Sequence, residues 1–489
     1  MTQRTITPTL LPARSGQRLL WPLVLAASLS ACASLRPDPA DPAFQPAPAP
    51  LQWTQGQARE GQAATDLGQW WAQLGDAQLT ALIEQALRAN TSVLSAQAAL
   101  RQARAQADVQ QAGTGPSLSA SGSAQRSQSG NASPGNRFQA GFDARWEPDI
   151  FGGNRAAADA SETDAQASAA SLANVRVSLA AEVAANYINL GSLQTRQAIA
   201  QNNLSSQLET LQIARWRAQA GLASSLDVEQ AVSAAEQTRA QLPSLQTNTV
   251  QTWHALAVLT GQAPGALPAA LLAAAPLPAA PAALALSFPA DTLRQRPDVR
   301  AAELRVRSAL DRVTVANAAR YPSFNLSGSL GLSALTLGTL SNGASLAKAL
   351  LASVSVPLFD SGARDAQVRA QLAALDQAAA AHQSAVLNAL KDVEDALVGL
   401  KGDGERLARL QAAATAAVNA ELLARQRYQS GLIDFATLLT TQRTLLSLQD
   451  SVASAQANVL TDHVQLYKAL GGGWTPDAPG AAPAAAAQR

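Results

Sequence analysis

The chain has 489 residues and balances 36 basic against 35 acidic side chains, a formal charge of +1 that excludes the basic footprint of a nucleic-acid binder. Hydrophobic residues make up 47% and aromatics only 4%, an alanine-dominated composition that favours long, closely spaced helices over a thick core. The single cysteine excludes an intramolecular disulfide.

At the N-terminus, Arg4, Arg14 and Arg18 precede an apolar run from Leu19 to Ala31. About 13 residues is too short to span a bilayer and suits the h-region of a signal peptide. The run ends in "LSAC" at Leu29 to Cys32, which resembles the bacterial lipobox, so residues 1–31 are predicted to be removed and Cys32 to be acylated. Ala33 follows Cys32, and the resemblance then implies delivery to the outer membrane. Arg36 to Pro50 is rich in proline and alanine, and residues 32–66 read as a lipidated N-terminal linker.

The first repeat, residues 67–261, reads as helix, two strands, long helix, turn, helix. Phe138, Ala140, Phe142, Ala144 and Trp146 alternate with Gln139, Gly141, Asp143 and Arg145, the period-two pattern of a strand with one apolar and one polar face. With Ser117 to Arg126 it forms a hairpin over 116–148. No proline interrupts Arg155 to Ala220, which predicts one helix of about 65 residues, roughly 100 Å long. "RAQAGL" at Arg217 to Leu222 then places Gly221 where a reversing chain needs positive φ.

Residues 262–290 are a second Pro/Ala-rich stretch, and beyond them the order repeats in residues 291–473. "PSLSASG" at Pro116 returns as "PSFNLSG" at Pro322, and "PDIFGGNR" at Pro148 returns as "PLFDSGAR" at Pro357. "RAQAGL" at Arg217 returns as "RYQSGL" at Arg427. Landmarks recurring in order at offsets of about 206 to 210 residues indicate a tandem duplication. The second hairpin is predicted over 322–357 and the second tip at Gly431. Leu372, Leu375, Ala379, His382, Val386, Ala389 and Val393 step by threes and fours, the seam of a coiled coil. Gly399, Gly402 and Gly404 predict a bend in that helix. Residues 474–489 read as a disordered tail.

Four amphiphilic strands cannot close a barrel, and an open edge in lipid leaves unpaired amides at several kcal/mol each. Copies must therefore share one barrel. Two copies give eight strands, which fill themselves with side chains; three give twelve, which leave a lumen. Gln139, Asp143 and Arg145 would line it.

These motifs, with "LYKALGGGW" at Leu466 to Trp474, "RPDVRAAE" at Arg296 to Glu303, "RYPSF" at Arg320 to Phe324 and "QRYQSGL" at Gln426 to Leu432, resemble the outer-membrane efflux proteins. These are the TolC-like exit ducts, here of the lipid-anchored OprM or NodT type paired with RND transporters. The resemblance spans nearly the whole mature chain. It implies a mostly α protein with a membrane β-barrel: a homotrimer sharing a twelve-stranded barrel that continues into a long periplasmic coiled-coil tunnel. It further implies a Gram-negative outer membrane, a periplasmic adaptor (membrane fusion protein) and an inner-membrane RND pump, with no cofactor.

By the same resemblance, Arg217, Gly221, Leu222, Arg427, Gly431 and Leu432 mark the tips where the adaptor docks and the tunnel constricts. Turn geometry alone also calls for glycine at 221 and 431. Asp227 and Asp434 are candidate partners of Arg217 and Arg427 in a gate. Family members often carry an aspartate nine residues after the second tip glycine and a bulky apolar residue four before that aspartate. This chain has Thr440 and Ala436 there, which puts the usual constriction in doubt.

Enzyme readings find little support. His254, His382 and His463 are scattered, and "SLAK" at Ser345 to Lys348 lacks the accompanying S-D-N and K-T-G motifs. No Walker or dinucleotide loop is present, so energy for transport must come from a partner. A duct for type I protein secretion, and a non-porous structural coiled-coil lipoprotein, stay open as alternatives.

Overall fold

A computed structural model describes residues 53–54, 67–131, 133–272, 277–278 and 296–474. Its helices are α1 (Ala77–Ala89), α2 (Thr91–Gly113), α3 (Gly153–Gln219), α4 (Ser225–Leu259), α5 (Pro297–Ala318), α6 (Ala363–Gln429) and α7 (Phe435–Ala469). Its strands are β1 (Ser117–Ser127), β2 (Gly135–Trp146), β3 (Ser323–Ala334) and β4 (Leu346–Ser355). The chain divides into two compact units. One gathers Ala112–Ala157 and Leu310–Ala373; the other gathers residues from Pro46–Gln111, Ala158–Ala309 and Ala374–Arg489.

The first unit is built on one antiparallel sheet in the order β1-β2-β3-β4. Register turns the period-two sequence into two chemically distinct faces. One rung aligns Ser119, Asp143, Ser329 and Ala349; its neighbour aligns Ala120, Phe142, Leu330 and Lys348. Serines 117, 119, 121 and 123 therefore share a face with Gln139, Asp143, Arg145 and Ser327, while Leu118, Phe142, Leu330 and Leu350 share the other. Gly141 lies opposite Gly331, and a Cβ added to either would stand under 3.0 Å from the other's backbone. Only hydrogen fits there. Among the described residues nothing pairs with the outer edges of β1 and β4.

In the second unit the repeat appears in element lengths: α3 and α6 each have 67 residues, α4 and α7 each have 35. Neither long helix contains proline; α4 accommodates Pro243 within its span. Through Gly399, Gly402 and Gly404, where the sequence predicts a bend, α6 stays helical. Three glycines cost helix propensity, about 1 kcal/mol each, but the long flanking turns and the packing of Val393 and Leu397 hold the segment.

A core forms where α1, α3, α4 and α7 meet. Trp70 is fully buried and stacks on Tyr467 at 4.9 Å, within a cluster that includes Leu79, Ile83, Val183, Ile188, Leu256 and Val464. The two stretches expected to be plain linkers contribute to packing as well. Trp53 is buried against Val393, Leu397 and Leu466, and Thr54 donates its backbone N–H to Glu394 at 2.8 Å. Leu267 and Leu271 enter the main core, and Gln194 donates to the Leu271 carbonyl at 2.7 Å. Large apolar side chains inside a Pro/Ala background are what dock these segments. Among the described residues no helix is long and apolar enough to cross a membrane.

Candidate functional site

The sheet supplies the first candidate surface. Gln139, Asp143 and Arg145 are exposed on the polar face of β2. Ser121 donates to the Asp143 carboxylate at 2.8 Å, and the hydroxyls of Ser117 and Ser119 reach the carbonyls of Arg145 and Asp143 across the strand pair. The Ser121 bond fixes the Asp143 carboxylate, while Ser117 and Ser119 add hydroxyl bonds to the backbone of the strand pair. The opposite face leaves Phe142 56% and Leu350 78% exposed, a contiguous apolar surface that a soluble monomer rarely presents.

The second surface is the pair of helical tips. Gly221 and Gly431 have φ of 71° and 72°. The Gly221 N–H reaches the Ala218 carbonyl and the Leu222 N–H the Arg217 carbonyl; Gly431 and Leu432 make the matching bonds to Tyr428 and Arg427. Each tip is thus a Schellman motif, in which glycine supplies the left-handed residue that closes the helix. The apolar residue after that glycine commonly folds back on the helix, yet Leu222 and Leu432 are 70% and 74% exposed. Their apolar ends are left outward. Trp216 and Leu226, also exposed, extend this patch on the first tip only, since their counterparts are Gln426 and Ala436.

The anticipated gate pairs do not form. Asp227 closes a capping box with Ser224: the Ser224 N–H donates to its carboxylate at 3.0 Å while the Asp227 N–H donates to the Ser224 hydroxyl at 3.2 Å. Asp434 caps α7 by accepting from the Thr437 N–H at 2.8 Å, and the Thr437 side chain together with that backbone N–H holds its carboxyl below the usual range. Both carboxylates are engaged by helix starts. Arg427 is exposed and carries no ion pair among the described residues. Ala436 and Thr440 are exposed on α7, and the Thr440 hydroxyl turns back onto the Ala436 carbonyl at 2.8 Å.

Arg217 reaches further. Its Nη1 donates to the Tyr428 carbonyl at 2.6 Å, and its guanidinium sits 4.7 Å from the centre of the Tyr428 ring. Tyr428 packs with Phe435, Leu438, Ala214 and Ala234 in one cluster drawn from α3, α4, α6 and α7. Burial raises the Tyr428 pKa against the lowering influence of Arg217, and its hydroxyl is enclosed without a partner. The two tips are clamped through one arginine. Sequence spacing gave no signal for Tyr428, because the contact joins the two repeats.

Two further groups escaped the sequence reading. Arg296 is buried and donates to Asp298 at 2.7 Å, to Asp392 at 3.1 Å and to the Ala469 carbonyl at 3.0 Å. Burial alone would lower its pKa, but Asp298 and Asp392 outweigh that and raise it; the same pairing lowers Asp298. Arg296 therefore ties α5, α6 and α7 at one point. A cleft of about 310 Å³ opens beside it, lined in part by Asp395, Asp462 and Lys468. There the Asp462 carboxyl is pushed up to about 6 by burial and by neighbouring Asp403. Among the described residues no cluster of side chains suited to a metal ion occurs. Cys32 lies outside the described residues.

With this geometry in view, similarity to known proteins becomes informative. A family profile described as "Outer membrane efflux protein" matches residues 82–262 and 288–472. The chain is 30% identical over 469 residues to outer membrane protein OprJ of Pseudomonas aeruginosa, covering 92% of this chain and 95% of OprJ. It is 33% identical over 476 residues to the pyoverdine export outer membrane protein OpmQ of the same species, covering 93% and 96%. Its fold matches the solved outer-membrane channel OprN with a TM-score of 0.83 at 33% identity, over 91% of this chain and 99% of that one.

Proposed function

The chain belongs to the outer membrane efflux protein family, and from that premise we propose that three copies form the passive exit duct of a tripartite RND-type efflux system. The observation that carries this reading is the sheet: one face hydroxylic and charged, the other apolar save for Lys348, with neither outer edge paired among the described residues. In a bilayer such a sheet is stable only when its edges are closed by further copies. Three sheets of four strands give a twelve-stranded barrel whose polar faces, with Gln139, Asp143 and Arg145, surround water. The long helices of the same three copies form the periplasmic tunnel.

Energy enters elsewhere. The duct offers a polar path, and an inner-membrane RND transporter drives the solute through a periplasmic adaptor that engages the tips at Leu222 and Leu432. Exposed leucines beyond two Schellman turns are small apolar knobs suited to a groove on a partner helix. The acylated Cys32 holds each copy to outer-membrane lipid. OpmQ is described as exporting pyoverdine; for this chain the cargo class is small molecules handed over by the pump.

The test is reconstitution in planar bilayers. The wild-type protein is expected to show a low resting conductance, and Asp143→Asn to shift its ion selectivity toward anions. A protein that never conducts would refute the duct. In cells, deletion should raise intracellular accumulation of a fluorescent pump substrate, and a Cys32→Ala variant should lose labelling by a fatty-acid analogue.

A further inference from the structure

Charge is spread unevenly over the strand unit. The two hairpins, loops included, carry four basic residues, Arg126, Arg137, Arg145 and Lys348, against the single carboxylate of Asp143. Register sorts them by face. Arg137, Asp143 and Arg145 lie on the polar face with Gln139, and Ser121 holds the Asp143 carboxylate there. Arg126 falls on the apolar face with Leu118 and Ala124, and Lys348 on the same face with Leu330 and Phe142. Both of these cations are exposed, and no acidic residue shares their face in any of the four strands.

Position along the strands sorts them again. Lys348 lies seven residues from the helix-side end of β4 and Arg126 nine from that of β1, so both stand toward the loops. At the helix-side end the same face is uncharged, with Leu118, Trp146, Phe324 and Val354. A cation on a lipid-facing strand is costly at mid-bilayer and tolerated near the interface. Lys348 is the third residue of β4 counted from its loop, about 7 Å along the strand, a depth from which an aliphatic stem lifts its ammonium to the headgroups. One rim of the apolar face is therefore cationic and the other neutral, which matches anionic headgroups on the loop side only.

We propose that Lys348 and Arg126 bind the phosphates of a phosphorylated saccharolipid in the outer leaflet. The inference rests on the duct reading, which puts the helices in the periplasm and the loops outside. In that ring β4 of one copy lies beside β1 of the next, so Lys348 and the next copy's Arg126 stand on neighbouring strands. A headgroup bearing two phosphates can then take a charge-assisted bond from each, the planar fork of arginine on one and the point charge of lysine on the other. The loops above them suit its sugars. Ser127 to Asn136 is made of serine, asparagine, glutamine, glycine, alanine and proline, and Thr336, Thr339, Ser341 and Asn342 are exposed in the second loop, so hydroxyls and amides meet the saccharide where the cations meet its phosphates.

Native mass spectrometry of the full chain in mild detergent tests this, with titrations of diphosphoryl lipid A, phosphatidylglycerol and phosphatidylethanolamine. The wild type is expected to retain lipid A at concentrations about tenfold or more below those needed by the double variant Lys348→Gln, Arg126→Gln, while the two proteins hold phosphatidylethanolamine alike. Each single variant should fall between, which keeps the test readable if the double variant assembles poorly. Lys348→Arg should bind as the wild type does, and excess inorganic phosphate should leave lipid A in place. Equal retention of lipid A by the wild type and the glutamine variants would overturn the assignment. So would displacement by inorganic phosphate, or phosphatidylglycerol held as tightly as lipid A. A wild type that binds lipid A as expected yet never conducts in planar bilayers would refute the duct and leave the lipid site standing; a conducting protein with no preference for lipid A would do the reverse.

Discussion

Arg217 holds the Tyr428 carbonyl at 2.6 Å and covers the face of the same residue's ring at 4.7 Å, so a single side chain ties the tip of α3 to the last turn of α6. A cation over an aromatic face and a hydrogen bond from a charged donor each contribute about 1 kcal/mol at such a site. Removing both with Arg217→Ala is expected to raise the population of an open tip roughly tenfold or more. Single-channel recording checks this as increased resting conductance. Arg217→Lys should fall between, because an ammonium reproduces the charge but not the planar fork. An unchanged resting level in Arg217→Ala would remove the clamp from any account of closure.

Arg296 is a structural centre rather than a transport residue. Its guanidinium is buried and satisfied by Asp298, Asp392 and the Ala469 carbonyl, and truncating it leaves Asp298 without its cation. Loss of one partner from a fully buried pair typically costs about 3–5 kcal/mol; Asp298 and Asp392 keep 30% and 46% exposure, so the cost here falls below that range. Arg296→Ala is expected to lower the thermal unfolding midpoint strongly by circular dichroism, with conductance per surviving channel unchanged. A variant with altered conductance and normal stability would contradict this assignment.

Asp462 makes stability depend on pH. Its pKa rises from 3.8 to about 6 in the folded chain, so the folded state favours the protonated form. The contribution is complete below the ordinary value and is lost as pH climbs through about 6. Because the group is partly exposed, the loss is discounted to about 1–2 kcal/mol. The wild type should therefore melt higher at pH 4.5 than at pH 7.5 relative to Asp462→Asn, in which this component is flat. Parallel curves for the two proteins would show that folding does not raise the Asp462 pKa.

Gly141 and Gly331 face each other where a side chain would overlap backbone. Gly141→Ala is expected to force β2 and β3 apart locally and to reduce the yield of assembled protein in the outer membrane several-fold. Gly122→Ala, where the nearest atom is 3.9 Å away, serves as the permissive control. Equal yields from both would mean the sheet absorbs the clash by shifting.

Much of this was legible in the residues themselves. Period-two alternation from Phe138 to Trp146 defines a strand whose faces the register then displays, and the absence of proline from 155 to 220 defines α3. Gly221 and Gly431 announce their turns because few other residues tolerate positive φ. Partners across the repeat were not legible. Asp227 stands ten residues from Arg217 and looked like its counter-ion, but the start of α4 claims that carboxylate for Ser224, whereas Tyr428 is 211 residues away. Composition also gave no sign of the residues that pack within two stretches read as linkers. One tryptophan at 53 and two leucines at 267 and 271 outweigh many prolines and alanines, because burial energy follows area and not residue count.

Equal spans of 67 residues for α3 and α6, and of 35 for α4 and α7, act as a ruler shared by the two halves. Side chains along them have drifted freely, so that Trp216 faces a Gln426 counterpart and Ser224 an Asp434 one. Length has not drifted with them. A one-residue insertion rotates everything downstream by about 100°, so a change tolerated in one half would put its tip out of step with the other. The duplicated chain can thus specialise one tip for a partner and the other for closure, provided that both arrive at the same depth.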